Sequence, residues 1–138
     1  MEPTVKCAIL HIDMRPLVHP ALHDVTVEGI LHALSDPVRA AIFAGILTAG
    51  SPQTCSMFLT ISEKNIPKST LSQHFRALRE AGLIRSERRG VEMHNTSRGD
   101  EIETRFPGLI QAIMDAHRVQ LAGKRKPANR AAKRTARY

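Results

Sequence analysis

Apolar residues in this chain recur mostly at helical spacing and alternate in one short stretch. In VTVEGILHALSDPVRAAIFAGILTAG, Val27, Ile30, Leu31 and Leu34 fall on one helical face. Val38, Ala41, Ile42, Ile46 and Leu47 form the buried face of a second helix. The first helix stops at Ser35-Asp36-Pro37, because the residue before a proline is pushed out of the helical region. The same residues start the next one: Asp36 is a good N-cap and Pro37 fits the first helical position. Gly50 ends it.

In KSTLSQHFRALREAG, Leu71, Phe75, Leu78 and Gly82 share one face. The opposite face carries Ser69, Gln73 and Arg76, with Thr70 beside them. The period then changes. In GLIRSERRGVEMHNTS, Ile84, Ser86 and Arg88 alternate with Arg85 and Glu87, and Val91, Met93 and Asn95 alternate beyond Arg89-Gly90. That pattern predicts a short β-hairpin with a basic tip over residues 84–96. Phe106, Leu109, Ile110, Ile113, Met114, His117 and Leu121 return to helical spacing, in a helix that begins near Pro107. In SPQTCSMFLTISEKNIP, Ser51-Pro52 reads as a helix start. Met57, Phe58 and Ile61 then form one side of a short helix that closes in a turn at SEKN. The expected fold is mainly α with a small β-hairpin. An irregular arm spans 1–25, a single domain 26–122, and a basic tail 123–138 that lacks the apolar residues to offset its ordering entropy.

Composition narrows the class. The chain has 138 residues, 42% of them hydrophobic, with no Trp and one Tyr, so one domain with an aliphatic core is expected. No apolar run approaches the roughly 18 residues of a membrane span, and the N-terminal stretch lacks a basic segment and cleavage site, so neither membrane nor signal peptide is expected. Cys7 and Cys55 form no disulfide or zinc pattern. A reducing cytoplasm is the expected location.

Charge then points to a partner. The net charge is +7, yet the last 16 residues hold seven Lys/Arg and no acid, so residues 1–122 are neutral overall. Within them, residues 63–98 carry a net +4, and the segments on either side carry −2 each. The positive part contains the polar-faced helix and the hairpin. A local basic patch marks a polyanion partner more than total charge does.

A helix after a turn with an exposed polar N-terminal half suits the major groove of double-stranded DNA. Gln can pair bidentately with adenine, and Ser and Thr can meet base edges. Arg and Lys hold phosphates and set register. The candidate DNA contacts are therefore Lys68, Ser69, Thr70, Ser72, Gln73, Arg76 and Arg79 on the helix, with Arg88 and Arg89 at the hairpin tip. Arg79 is expected to pack its stem while reaching a phosphate. His74, at the edge of the apolar face, reads as packed or phosphate-linked. The chain contains no Gly-rich phosphate loop, nucleophile elbow or His-Glu-x-x-His, and its seven His are scattered, so no enzyme is expected. Single-stranded RNA would call for exposed aromatic residues, which are missing.

The stretches LHALSDPVRAAIFAGIL and KSTLSQHFRALREAGLIRSERRG resemble ArsR-type winged helix-turn-helix transcriptional regulators. The matching residues are Leu34, Ser35, Asp36, Pro37 and Arg39, then Ser69, Thr70, Ser72, His74, Leu78, Ala81, Gly82 and Leu83. The resemblance spans about residues 27–122. It implies a homodimer built from the first and last helices, with Ile30, Leu31, Leu109, Ile110, Ile113, Met114 and His117 at the interface. It implies a palindromic operator read by helix 68–81 in the major groove, with the wing 84–96 on the flanking backbone or minor groove. Repression relieved by an inducer is the usual mode.

Many such proteins bind metal through Cys-x-Cys before the recognition helix, or through Asp-x-His on the last helix with later ligands. Here Cys55 stands alone in TCSMF, and Asp115-Ala116-His117 is followed by Arg118 and Gln120 with no later His or acid. No metal or cofactor is expected, and the inducer is unspecified. His11 and Asp13 read as a solvated pair. Two other readings fit the same pattern: a winged-helix protein-interaction module and a MarR-like small-molecule-responsive regulator.

Overall fold

A computed structural model of the chain describes residues 17–59, 61 and 65–135, with side chains up to Lys124. Cys7, His11 and Asp13 lie outside the described residues. The described backbone forms five α-helices and a small antiparallel sheet. They are α1 (Val27–Leu34), α2 (Pro37–Thr48), β1 (Gln53–Thr54), α3 (Lys68–Glu80), β2 (Ile84–Arg89), β3 (Glu92–Ser97), α4 (Gly99–Arg105) and α5 (Leu109–Thr135). The described residues divide into two compact units, the first ending at Gly99 and the second beginning at Asp100.

The corner between α1 and α2 bends the chain by 106°. Asp36 makes it. Its carboxylate accepts from the backbone N–H of Val38 at 2.8 Å and of Arg39 at 3.1 Å, which satisfies the first turn of α2. A cap of this kind stabilises by about 0.5–2 kcal/mol. Burial pushes the Asp36 carboxyl up, but these backbone bonds and the His74 and Arg39 charges outweigh it and hold the group below its usual range. Arg39 reaches back across the corner and donates to the carbonyls of Ala33 (2.7 Å) and His32 (3.3 Å), covering the open end of α1. One acid and one base therefore close both helix ends at the turn.

The core of the first unit gathers Ile30 and Ala33 from α1, Ala40, Ile42, Phe43 and Ile46 from α2, and Leu71, Phe75 and Leu78 from α3. Leu83 and Ile84 follow at the start of the wing. The Phe58 and Phe75 rings meet at 5.7 Å, tilted by 57°. The core face of α2 differs from the expected stripe: Ala40 and Phe43 are buried, whereas Val38, Ala41 and Leu47 are half-exposed. Leu31 lies 49% exposed, off the core face.

Residues 51–58 depart from the expected short helix. Gln53–Thr54 is a strand, and Cys55–Phe58 is a single 3-10 turn. Proline at 52 precedes a strand here, and a two-residue strand shows no period that a sequence could display. The strand extends the predicted hairpin to three strands in the order β1-β3-β2. Arg89 pairs with Glu92, leaving Gly90-Val91 as the two-residue tip. Gly90 takes a positive φ of 63°, as the first central residue of a tight hairpin turn requires.

The end of the N-terminal arm is tied to the domain. Val25 is buried and sits where a Cβ at Gly82 would go, and Gly82 has a positive φ of 84°. Pro20 accepts from the Arg98 guanidinium at 2.8 Å. His19 Nε2 accepts from the backbone N–H of Ser86 at 2.9 Å, so this ring must be neutral.

In the second unit, the Glu103 carboxylate accepts from the backbone N–H of Gly108 (2.7 Å) and Gln111 (3.3 Å) and caps α5. The Arg105 guanidinium lies 4.8 Å from the Phe106 ring centroid. α5 does not end at Gly123 but continues to Thr135, through a segment rich in Ala, Lys and Arg, which are strong helix formers.

Burial lowers the proton affinity of His19 below the usual 6.5, and the charges of Arg85, Arg79 and Arg98 lower it further. Because the folded value is depressed, the stability this contact contributes is complete above the unfolded value. It is lost as pH falls through the folded one. Hydrogen exchange at the Ser86 amide, corrected for its intrinsic pH dependence, should therefore lose protection as pH falls from about 7 to about 5. Substituting His19→Ala should flatten that dependence. Equal protection across the range in the unmodified chain would contradict the contact.

Candidate nucleic-acid interface

α3 is amphipathic because its apolar residues recur at positions 71, 75 and 78, all of them buried. That burial fixes what the helix shows outward. Lys68, Ser69, Ser72, Gln73 and Arg76 are exposed, and Thr70 is half-exposed at their side. The N-cap is Pro67, which offers no side-chain acceptor to the first turn. The first-turn N–H groups and the positive end of the helix dipole thus accompany Lys68 and Ser69, a combination that favours phosphate. Arg76 forms an i,i+4 pair with Glu80 at 2.9 Å, with both side chains largely in solvent, where such a pair holds little energy.

The wing adds the second basic element. Arg88 lies on the face shared with Ile84 and Ser86, half-buried, and Arg89 lies on the other face, exposed. Arg89 meets Glu87 at 3.3 Å. A cleft of about 350 Å³ separates α3 from the wing, and Ser72, Gln73, Arg76 and Arg88 all border it. Seven of the nine predicted DNA contacts therefore lie on the exposed side of α3 and the near side of the wing, with Arg89 across the tip.

Arg79 is the exception. Its guanidinium is half-buried and donates to Ser86 Oγ at 3.1 Å. Ser86 in turn donates to Asn95 Oδ1 at 2.7 Å. The Asn95 amide donates to the Gln53 carbonyl at 3.0 Å and lies 3.6 Å from Cys55 Sγ. Asn95 is fully buried and Ser86 nearly so. In the sheet register Asn95 stands opposite Ser86 on one side and Gln53 on the other. The chain of bonds thus runs from α3 through the wing to β1. Burial lowers the proton affinity of Arg79, yet a guanidinium remains charged at neutral pH. Burial raises the Cys55 thiol above its ordinary value, against the Asn95 bond and the Arg79 charge, so Cys55 is held as a protonated thiol.

Sequence reasoning missed this network. Its signal was present in the hairpin alternation, which put Ser86 and Asn95 in phase with Ile84. Two small polar residues on the inward face of a strand pair are expected to bond each other.

The predicted interface residues of the terminal helices divide. Ile30, Ile110 and Met114 are buried within the single chain, whereas Leu109, Ile113 and His117 are half-exposed and Leu31 is exposed. Val119 and Leu121 are also exposed. Asp115 is engaged by Gln111 at 3.0 Å and Arg118 at 3.1 Å. Among the described residues, no three His, Cys, Asp or Glu side chains group as metal ligands, and no single helix is long and apolar enough to cross a membrane.

A polar-faced helix after a turn, followed by a basic two-stranded wing, defines a winged helix-turn-helix DNA-binding domain. Residues 34–87 match a helix-turn-helix domain family. YceK of Bacillus subtilis, an uncharacterized HTH-type transcriptional regulator, is 35% identical over 85 residues, which cover 61% of this chain and 82% of that protein. The fold is that of a crystallised ArsR family transcriptional regulator (TM-score 0.50, 18% identity, 76% of this chain and 97% of that one). It is also that of the homodimeric winged helix-turn-helix DNA-binding domain of Mb0332 from Mycobacterium bovis (TM-score 0.50, 21% identity, 81% and 86%). The chain belongs to the HTH-type transcriptional regulators, with the winged-helix fold of the ArsR family, and it is a DNA-binding protein rather than an enzyme.

Replacing Asn95 by Leu, of similar size, should strand the Ser86 hydroxyl and the Gln53 carbonyl. Unfolding in urea should then show a loss of about 1–3 kcal/mol. A midpoint equal to that of the unmodified chain would show that the network is not a structural constraint.

Proposed function

We propose that the chain is a homodimeric repressor that reads a palindromic operator. In this reading α3 enters the major groove. Ser69, Ser72 and Gln73 meet base edges, while Lys68, Thr70 and Arg76 hold phosphates. Arg88 and Arg89 carry the wing onto the flanking backbone or the minor groove, and Arg79 positions the helix against the wing from within. The observation that carries the reading is the outward row of α3. Lys68, Ser69, Ser72 and Gln73 are exposed, and their side chains form no hydrogen bond with any described residue, although every one of them is a donor.

Dimerisation through the first and last helices is supported by apolar side chains left open there: Leu31, Leu109, Ile113, Val119 and Leu121, with His117 beside them. The winged helix-turn-helix domain from Mycobacterium bovis, which shares this fold, is itself homodimeric. Two reading helices would then lie about 34–36 Å apart, one turn of DNA. The cytoplasm is the compartment this function calls for. The basic segment from 123 onward adds sequence-independent, salt-sensitive affinity.

Binding of the full-length chain to a duplex from its own upstream region, compared with a scrambled copy at physiological salt, tests the reading. The expected preference is about 10³-fold or more. Gln73→Ala should cost about 1–3 kcal/mol on the preferred duplex and relax selectivity at one position. Substituting Arg88 and Arg89 together should weaken binding to both duplexes and reduce the salt slope by about 2. Equal affinity for the two duplexes, unaltered by Gln73→Ala, would remove α3 as the reader.

A further inference from the structure

The cleft between α3 and the wing has features that DNA contact does not explain. Its volume of about 350 Å³ lies within the range of small-molecule sites, about 300–1,000 Å³. Three guanidinium groups border it: Arg76 and Arg79 from α3 and Arg88 from the wing. Leu17, Phe75 and Met93 border it as well and give it an apolar side. Among the described residues Glu92 is the one acid on its edge, and that carboxylate already faces His94 at 3.2 Å.

Arg79 matters most. It is half-buried, and the one hydrogen bond of its guanidinium among the described residues is to the neutral hydroxyl of Ser86. A guanidinium has five N–H donors in a planar fork. Here a permanent charge is held partly out of water, facing a cleft; among the described residues no acid is bonded to it, and Glu80 acts on it only through space. A carboxylate would match the fork bidentately, in the strong charge-assisted form. A phosphodiester backbone can meet Arg76 and Arg88 at the rim, but it has no apolar group to match Leu17 and Met93.

We propose that this cleft binds a small amphipathic anion, a carboxylate on an apolar body, and that its occupation displaces DNA. The carboxylate lies between Arg79 and Arg88 and the apolar body against Leu17, Phe75 and Met93. Gln73 and Arg76 border the same cleft, so an occupant takes space and charge from two side chains of the reading helix. The displacement rests on the DNA reading above, whereas the site itself does not.

Decanoate is a suitable probe, with acetate as the carboxylate lacking an apolar body. Titrating decanoate into the full-length chain should shift the amide NMR signals of Gln73, Arg79, Arg88 and Met93 saturably, and acetate should not. Arg79→Gln should weaken decanoate binding by roughly ten-fold or more. Val91→Glu should also weaken it. Val91 borders the cleft and is 91% exposed at the hairpin tip, so this change adds an opposing charge without disturbing the core. Shifts scattered over the surface, or an affinity unchanged by both substitutions, would overturn the site. Decanoate should also release the upstream-region duplex over the same concentration range. Saturation of the cleft with duplex affinity unchanged would overturn the displacement. If the chain bound no duplex at all, the DNA reading would fail while the NMR titration still decided the site.

Discussion

The structure depends on one buried amide. Asn95 has no solvent of its own, so every polar atom of its side chain must find a partner within the fold. It finds them on both neighbouring strands, in the Gln53 carbonyl and the Ser86 hydroxyl, and Ser86 also takes the Arg79 guanidinium. A two-residue strand such as β1 could not hold its place by ladder bonds alone. The directional bonds from Asn95 fix it, and with it the register of the sheet. Because Arg79 belongs to α3, the same bonds fix the wing relative to that helix. Leaving any one member unsatisfied costs about 1–3 kcal/mol, so the arrangement is close to all-or-none.

That constraint separates the polar residues of α3 by placement. Arg79 is half-buried and bonded to Ser86, while Ser69, Ser72, Gln73 and Arg76 are exposed. At the other end of the unit, the Asp36 cap and the Arg39 back-bond hold the α1–α2 corner against which α3 packs. The net +4 of residues 65–98 is thereby carried on elements bonded to one another, and a fixed positive surface steers and orients a polyanion.

Much of this was legible in the sequence, wherever a long period was at work. Leu71, Phe75 and Leu78 marked the buried face of α3, and Ser35-Asp36-Pro37 marked the corner to the residue. The alternation after Gly82 marked the wing. β1 was not legible, because two residues carry no period and Pro52 read equally well as a helix start. The α2 core was only partly legible: the helix is apolar nearly all round, so Phe43 and Ala40 could not be told from Val38 and Ala41 by pattern. The inward turn of Arg79 depended on Ser86, seven residues away on another element. Local spacing cannot report such a contact. The hold of His19 and Pro20 on the wing base spans 67 and 78 residues and is equally invisible to it.

The central claim is that α3 and the wing act together as a sequence-specific reader of DNA. Selection of duplexes from a random pool by the full-length chain, followed by sequencing, tests it most directly. The account predicts a motif of two inverted half-sites with centres about 10–10.5 base pairs apart. A pool that gains affinity without gaining a motif would contradict it, and would assign all binding to undirected charge.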